Sequence, residues 1–391
     1  MTDFEYYTLD SILRRDQIIE GFQSFIWTER YSAYGDFQIV IQSTYPVRQL
    51  LLPGTRITRK NSDYVMTVDT AEDTTDDDGT RNITVTGKSL ESLLDDRVAM
   101  PALATLTTTP NWVLTGTPGN IVRAMFNAIC VNGALSQLDT IPFYTLGTLR
   151  PAGNLPEPSD IITVTVAPDT LYNTMKSICD TYSMGFRLVK NADLGQIYFE
   201  VFMGNDLTSD QSLFSPVIFD PNMDNLEKIT LLTSTALVKT VAYVFASNGN
   251  AVVYAPDADS SSTGSDRRVL LVNSSNDGVA GPALTAALQQ EGLQALTSQR
   301  EVFTFDGELP QNVPFMYGTD FKLGDLVEER NSDGYGNQMI VTEQIFTSDD
   351  TGDRSFPTLV LSQTITPGSW ASWDGNQEWA AVDPSINWAD L

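Results

Sequence analysis

The chain contains no histidine in 391 residues. That absence excludes Ser-His-Asp and Cys-His catalytic groups, H-E-x-x-H sites and every histidine-containing zinc site. Its 2 cysteines, Cys130 and Cys179, lie far apart and form no C-x-x-C pair, so neither a zinc ribbon nor a disulfide framework is supported. Each falls on the apolar face of a predicted helix and reads as a buried, reduced core residue. No stretch approaches the roughly 18 apolar residues of a membrane span. The start, Met1-Thr2-Asp3-Phe4-Glu5, has no basic or apolar signal region, so the expectation is a soluble protein made in the cytoplasm. Basic residues are scarce, with 23 Lys+Arg against 50 Asp+Glu and a formal net charge of -27. Arg14-Arg15 and Arg267-Arg268 are the only adjacent arginine pairs. A phosphate backbone is gripped by clusters of Lys and Arg, so sequence-reading of nucleic acid is not expected. The acid surplus has two readings: it keeps a protein soluble, or it forms a wall past which DNA slides without sticking.

What is present is a mainly β chain with an α+β insertion. At about 150 residues per domain the length fits two to four domains, and 41% hydrophobic residues can give each a core. Residues 1–100 read as a first small β-barrel. Short aromatic and β-branched runs at 25–27, 37–41, 56–58, 64–68 and 82–86 are separated by turns at Gly35, Gly54 and Gly79. Ser89 is the predicted N-cap of a closing helix that carries Leu90, Leu93 and Leu94. Residues 101–215 read as an α+β middle domain. One helix opens at Asn120, a Pro/Gly-rich connector covers 142–158, and a strand covers 161–166. A second helix is capped by Asp169 and carries Leu171, Met175, Ile178 and Cys179; a hairpin of 186–189 with 196–202 follows. In residues 216–365 strands return at 229–232 and 237–245. A serine-rich loop at 257–266, a helix at 282–298 and a second β-barrel complete that region, and 366–391 form an acidic, Trp-rich tail.

Two segments match at fixed offsets. Gly54 is followed seven residues on by Asn61-Ser62-Asp63, and Gly324 seven residues on by Asn331-Ser332-Asp333. Met66 precedes Gly79 by the same 13 residues that separate Met339 from Gly352. Both copies spell a Gly-led strand, a polar turn, a strand ending in an acidic hairpin and a return strand. Hairpins draw on Asn, Asp, Ser and Gly in any case, but matched spacing across two successive turns favours a structural duplication. Three such chains in a closed ring would present six barrels and could meet a hexamer.

Several of these residues resemble the tail-hub family of long-tailed bacteriophages, also called baseplate hub or tail-associated minor tail proteins. Phe25-Ile26-Trp27-Thr28-Glu29-Arg30-Tyr31 with Gly35-Asp36-Phe37 is similar to that family's opening strand pair, and Val85-Thr86-Gly87-Lys88-Ser89-Leu90 to its first-barrel exit. Gly185-Phe186, Phe199-Glu200-Val201, Gly204-Asn205-Asp206 and Asn225-Leu226 resemble the middle domain, and Leu323-Gly324-Asp325-Leu326-Val327 the start of the second barrel. The resemblance implies a structural virion protein: a homotrimeric hub at the tail tip, assembled in the host cytoplasm. It would join a hexameric distal tail or tail tube protein to a central tip fibre or spike, with a tape-measure protein as a further partner. DNA would pass through its channel without specific binding. The resemblance carries no catalytic residue.

The chain's least ordinary stretch is its C-terminal tail. Four of the 6 Trp, namely Trp370, Trp373, Trp379 and Trp388, lie there among Asp374, Glu378, Asp383 and Asp390, without a Lys or Arg. Such anchors either bind a partner or pack back onto their own chain. Residues 73–79 fail as a calcium loop, because Val85 stands where the bidentate Glu belongs; they read as an acidic hairpin tip. Gly87-Lys88-Ser89 has Asn82 where a phosphate loop needs its first Gly. The cluster from Trp27 to Tyr31 reads as barrel core, with a sugar-stacking platform as the alternative. No catalytic, cofactor or metal residue is assigned. The competing function is a cell-wall glycan-binding adhesin or a glycoside hydrolase using surface carboxylates.

Overall fold

The computed structural model describes residues 4–361 except 76, 78, 102–111, 142–143, 147–154, 167, 192–194, 256–259, 262, 275–279, 300–301, 309–314 and 331–335. The first part comprises β1 (Tyr6–Leu9), β2 (Arg15–Ile19), β3 (Phe22–Arg30), β4 (Asp36–Gln42), α1 (Tyr45–Leu50), β5 (Arg56–Arg59), β6 (Met66–Thr75) and β7 (Arg81–Ser89). The middle comprises β8 (Trp112–Gly116), α2 (Pro118–Phe126), β9 (Tyr144–Leu146), β10 (Ile162–Val166), α3 (Leu171–Thr181), β11 (Gly185–Asn191) and β12 (Gln196–Phe202). The last part comprises β13 (Ile218–Phe219), β14 (Glu227–Ser234), β15 (Val241–Ala246), β16 (Gly249–Tyr254), β17 (Val269–Asn273), α4 (Pro282–Thr297), β18 (Val302–Glu308), β19 (Leu326–Arg330), β20 (Gly336–Asp349) and β21 (Gly352–Leu361). No described helix is long and apolar enough to cross a membrane.

One 13-stranded sheet runs in the order β14-β18-β21-β20-β3-β4-β7-β6-β5-β1-β2, with β19 on β20 and β13 on β19. Residues alternate along it. Phe37, Ile39 and Ile41 of β4 and Ile83 and Val85 of β7 are buried, as a sheet with one covered face requires. The sheet curls until β1 faces β3: the Tyr6 ring stacks on Phe25 with centroids 3.5 Å apart. Trp27, wholly buried, packs on Phe37, so it is core and no sugar platform. The same core continues through Phe219, Phe321, Val341, Phe346 and Leu359 of the second β unit. The fold is mainly β, with two similar curled β units and an α+β insertion.

That insertion has its own core, in which Met125 and Phe126 of α2 and Met175, Ile178 and Cys179 of α3 pack on Phe186 and Phe199 of the β11–β12 hairpin. Three local expectations are corrected. Helix α2 begins at Pro118, ahead of Asn120, because a proline suits the first turn. The cap of α3 is Thr170, whose Oγ1 accepts from Asn173 N at 3.1 Å; Asp169 accepts the Thr170 N–H instead. Ser89 precedes a 3-10 helix (Leu90–Asp96) without capping it, since its Oγ accepts from Gly35 N at 2.8 Å.

The segment between β14 and β18 forms a separate sheet, β16-β15-β17. α4 covers one face, setting Leu284, Leu288 and Leu296 on Ala242, Val244 and Val253. The strand expected from 237 begins only at Val241, and Leu237 is exposed.

Candidate assembly site

The two copies of the repeat fold alike, down to individual hydrogen bonds. Gly54 and Gly324 sit at φ +90° and +85°, a left-handed conformation that suits glycine. Gly54 N donates to Val68 O at 2.8 Å, and Val68 N donates back to Thr55 O at 2.9 Å. In the second copy Gly324 N donates to Val341 O at 2.8 Å, and Val341 N to Asp325 O at 3.0 Å. Arg56 and Ile57 face Thr67 and Met66, as Leu326 and Val327 face Ile340 and Met339. The long strand then breaks register at the same place, between Val68 and Thr70 in β6 and between Val341 and Glu343 in β20. Asn331-Ser332-Asp333, Asp76 and Asp78 lie outside the described residues.

At its bulge β20 exchanges one neighbour for another. Its first half pairs with β19, while residues 343–349 pair with β3 of the other unit. Thr342, the bulge residue, accepts from Tyr31 N through its carbonyl at 2.9 Å. Strand β6 makes the matching departure from β5 but takes up no second strand: among the described residues, residues 70–75 pair only with β7. The series β6-β7-β4-β3 matches β20-β21-β18-β14 position for position. β14 is therefore the counterpart of β3, and among the described residues it pairs only with β18. Among the described residues the chain thus contains one filled junction, β20 against β3, and two strands, β6 and β14, whose corresponding edges carry no strand partner. Unpaired strand edges are templates for pairing with another chain, and neither Lys nor Pro protects residues 70–75.

Close backbone packing fixes the angle at the filled junction. A Cβ on Gly204 would lie 2.0 Å from Gly324 O, and one on Gly324 2.4 Å from the Tyr31 ring. Tyr31 Oη donates to the carbonyls of Ser183 or Phe202, each at 3.1 Å, tying the insertion to the same point. Asp325 accepts from Asn205 N and Lys322 N, both at 2.7 Å, yet burial pushes its carboxyl up to about 6. Burial likewise brings Lys190 down to about 8; its ammonium donates to Thr58 Oγ1 and to Ser62 O. Glu29 is buried with its carboxylate shared among Trp27 Nε1, Ser62 Oγ and Tyr317 Oη.

The other expected sites fall as follows. Asp73 is ion-paired with Arg48 and Arg81, the fixed base of an acidic hairpin. Burial pushes the Cys130 thiol up to about 12 and raises that of Cys179. Among the described residues no cluster of His, Cys, Asp or Glu could hold a metal ion. Trp370, Trp373, Trp379 and Trp388 lie outside the described residues. Reading the sequence alone missed the free edges, because an edge is a property of what a strand does not pair with.

Two curled β units flanking an α+β unit make this a phage tail-protein fold. The tail protein from Neisseria meningitidis MC58 superposes with a TM-score of 0.57 at 12% identity, covering 95% of this chain and 98% of that one. The 43 kDa tail protein of prophage MuSo2 from Shewanella oneidensis gives 0.54 at 14% identity, covering 92% and 98%. No curated protein matches this sequence. The chain belongs to the Siphovirus ReqiPepy6 Gp37-like protein family, whose match spans residues 5–355. The family is thus a siphovirus one, and the fold is the one seen in these two tail proteins.

Proposed function

We propose that three copies of this chain close into the hub ring at the tail tip. The observation that carries this reading is the pair of unfilled junction halves. Repeating the β20–β3 geometry between chains sets residues 70–75 of one copy against β14 of the next. The register carries over as well: Glu343 opposite Arg30, Ile345 opposite Thr28 and Thr347 opposite Ile26 become Thr70 opposite Ser234, Glu72 opposite Leu232 and Thr74 opposite Thr230. Each chain supplies two equivalent units, so a threefold ring presents six and can seat on a hexameric distal tail or tube protein. The opposite side would carry the tip fibre or spike.

The eight strands from β6 to β14 would then form one continuous wall. In β3, β4, β7, β20 and β21 the apolar face is covered, so the channel would be lined by the other face, with Gln38, Thr84, Thr86, Thr347 and Thr358. Arg30 lies on that side, held by Asp36 at 2.8 Å and by Glu343, which leaves it little affinity for phosphate. DNA passes such a wall without being gripped. The role is mechanical and requires no chemistry of the chain's own. Mass measurement and electron microscopy of rings released from tails test the reading: three subunits with six lobes support it, and a two- or four-subunit ring overturns it.

A further inference from the structure

The β16-β15-β17 sheet is covered on one face only. Its other face presents Tyr243 and Phe245 from β15, Val252 and Tyr254 from β16, and Val269 and Leu271 from β17. Phe245 and Val252 are each 48% exposed and Leu271 63%. Isolated apolar residues need no explanation, but six side by side on three paired strands mark a surface that is covered in use. Arg267 stands at its rim, donating to Tyr243 Oη at 2.9 Å and lying 5.8 Å from the Tyr254 ring centre. Arg268 is beside it, exposed, with its guanidinium on Thr235 O at the root of the insertion.

We infer that the chain's own C-terminal tail covers this face, with Trp370 and Trp373 on the apolar strip and the tail's acids against Arg267 and Arg268. Three observations support this. The described chain ends in β21 at Leu361, one residue past Val360, which pairs with Thr304 of β18. Ser234 pairs with Val302 just before the insertion begins, so the exit lies two strands from its root, about 10 Å. Trp370 stands nine positions after Leu361, an extended reach of about 30 Å. Charge is complementary too: the tail carries Asp374, Glu378, Asp383 and Asp390 and no Lys or Arg, and it faces one of only two arginine pairs in the chain. Finally, Trp is the side chain best suited to the task, adding a large rigid area to Tyr and Arg neighbours.

The test uses the full chain bearing Ser372→Cys in the tail and Asn250→Cys on the open face, treated with a short bis-maleimide. Cys130 and Cys179 are buried and do not compete. The control pairs Ser372→Cys with Leu138→Cys, which is exposed on the α+β unit. Docking predicts an intrachain link forming about tenfold faster in the first pair than in the control, and loss of that advantage when Leu271→Asp is added. Equal rates in both pairs overturn the inference. So does a link formed only between chains, which would give the face to a neighbour's tail. Because the readout is intrachain, failure of the ring and failure of tail docking remain distinguishable.

Discussion

At the scale of single residues, the junction rests on groups that distant parts of the chain bring together. Asp325 illustrates the electrostatic side. Its folded pKa of about 6 lies above the ordinary carboxylate value, so the fold favours the neutral acid. The stability this contributes is fully present below about pH 4 and is lost as pH rises through 6, a change of about 3 kcal/mol. Asp325→Asn is neutral at every pH. The urea midpoint of the native chain is therefore expected to fall relative to that variant between pH 4 and 7; parallel profiles would contradict the assignment. The sequence made some residue-level features legible. Absent histidine excluded whole families of sites, and Gly54 and Gly324 announced the repeat because a tight turn with positive φ favours glycine. Gly204 announced nothing. Its constraint is the Gly324 carbonyl, 120 residues on, and no local pattern records that contact.

At the scale of elements, the long alternating strands were readable and several of the short ones were not. β4 and β7 bury every second side chain, and α3 shows a clean apolar face. β2, by contrast, is Arg-Asp-Gln-Ile-Ile with four exposed residues before one buried, so periodicity could not reveal it. β16 and β17 went unread for a related reason: both of their faces carry apolar residues, and the alternation is lost. The free edges of β6 and β14 make a prediction at this scale. In the proposed register Leu232→Glu faces Glu72 of the neighbouring chain, and like charges directly opposed cost about 0.2–1 kcal/mol per pair. Ring yield is expected to fall while the far-ultraviolet circular dichroism of the subunit stays unchanged. Adding Glu72→Lys restores attraction and should restore yield. No recovery in the double variant would exclude that register.

For the molecule as a whole, the proposed ring would make duplication within one chain and assembly between chains the same geometric operation applied twice. The filled β20–β3 junction is the pattern, and in the proposed ring the edges of β6 and β14, unpaired among the described residues, would be the two halves of its next application. On the proposed reading, two equivalent units per chain would let three subunits offer six, and one protein would mediate between a threefold tip and a sixfold tube. Disulfide trapping in assembled tails tests this most directly. Chains carrying Glu72→Cys and Leu232→Cys together are expected to give covalent rings that stop at three subunits on a non-reducing gel, and neither single variant should give any. Chains that remain unlinked in intact tails, or a ladder that runs past three, would contradict the account.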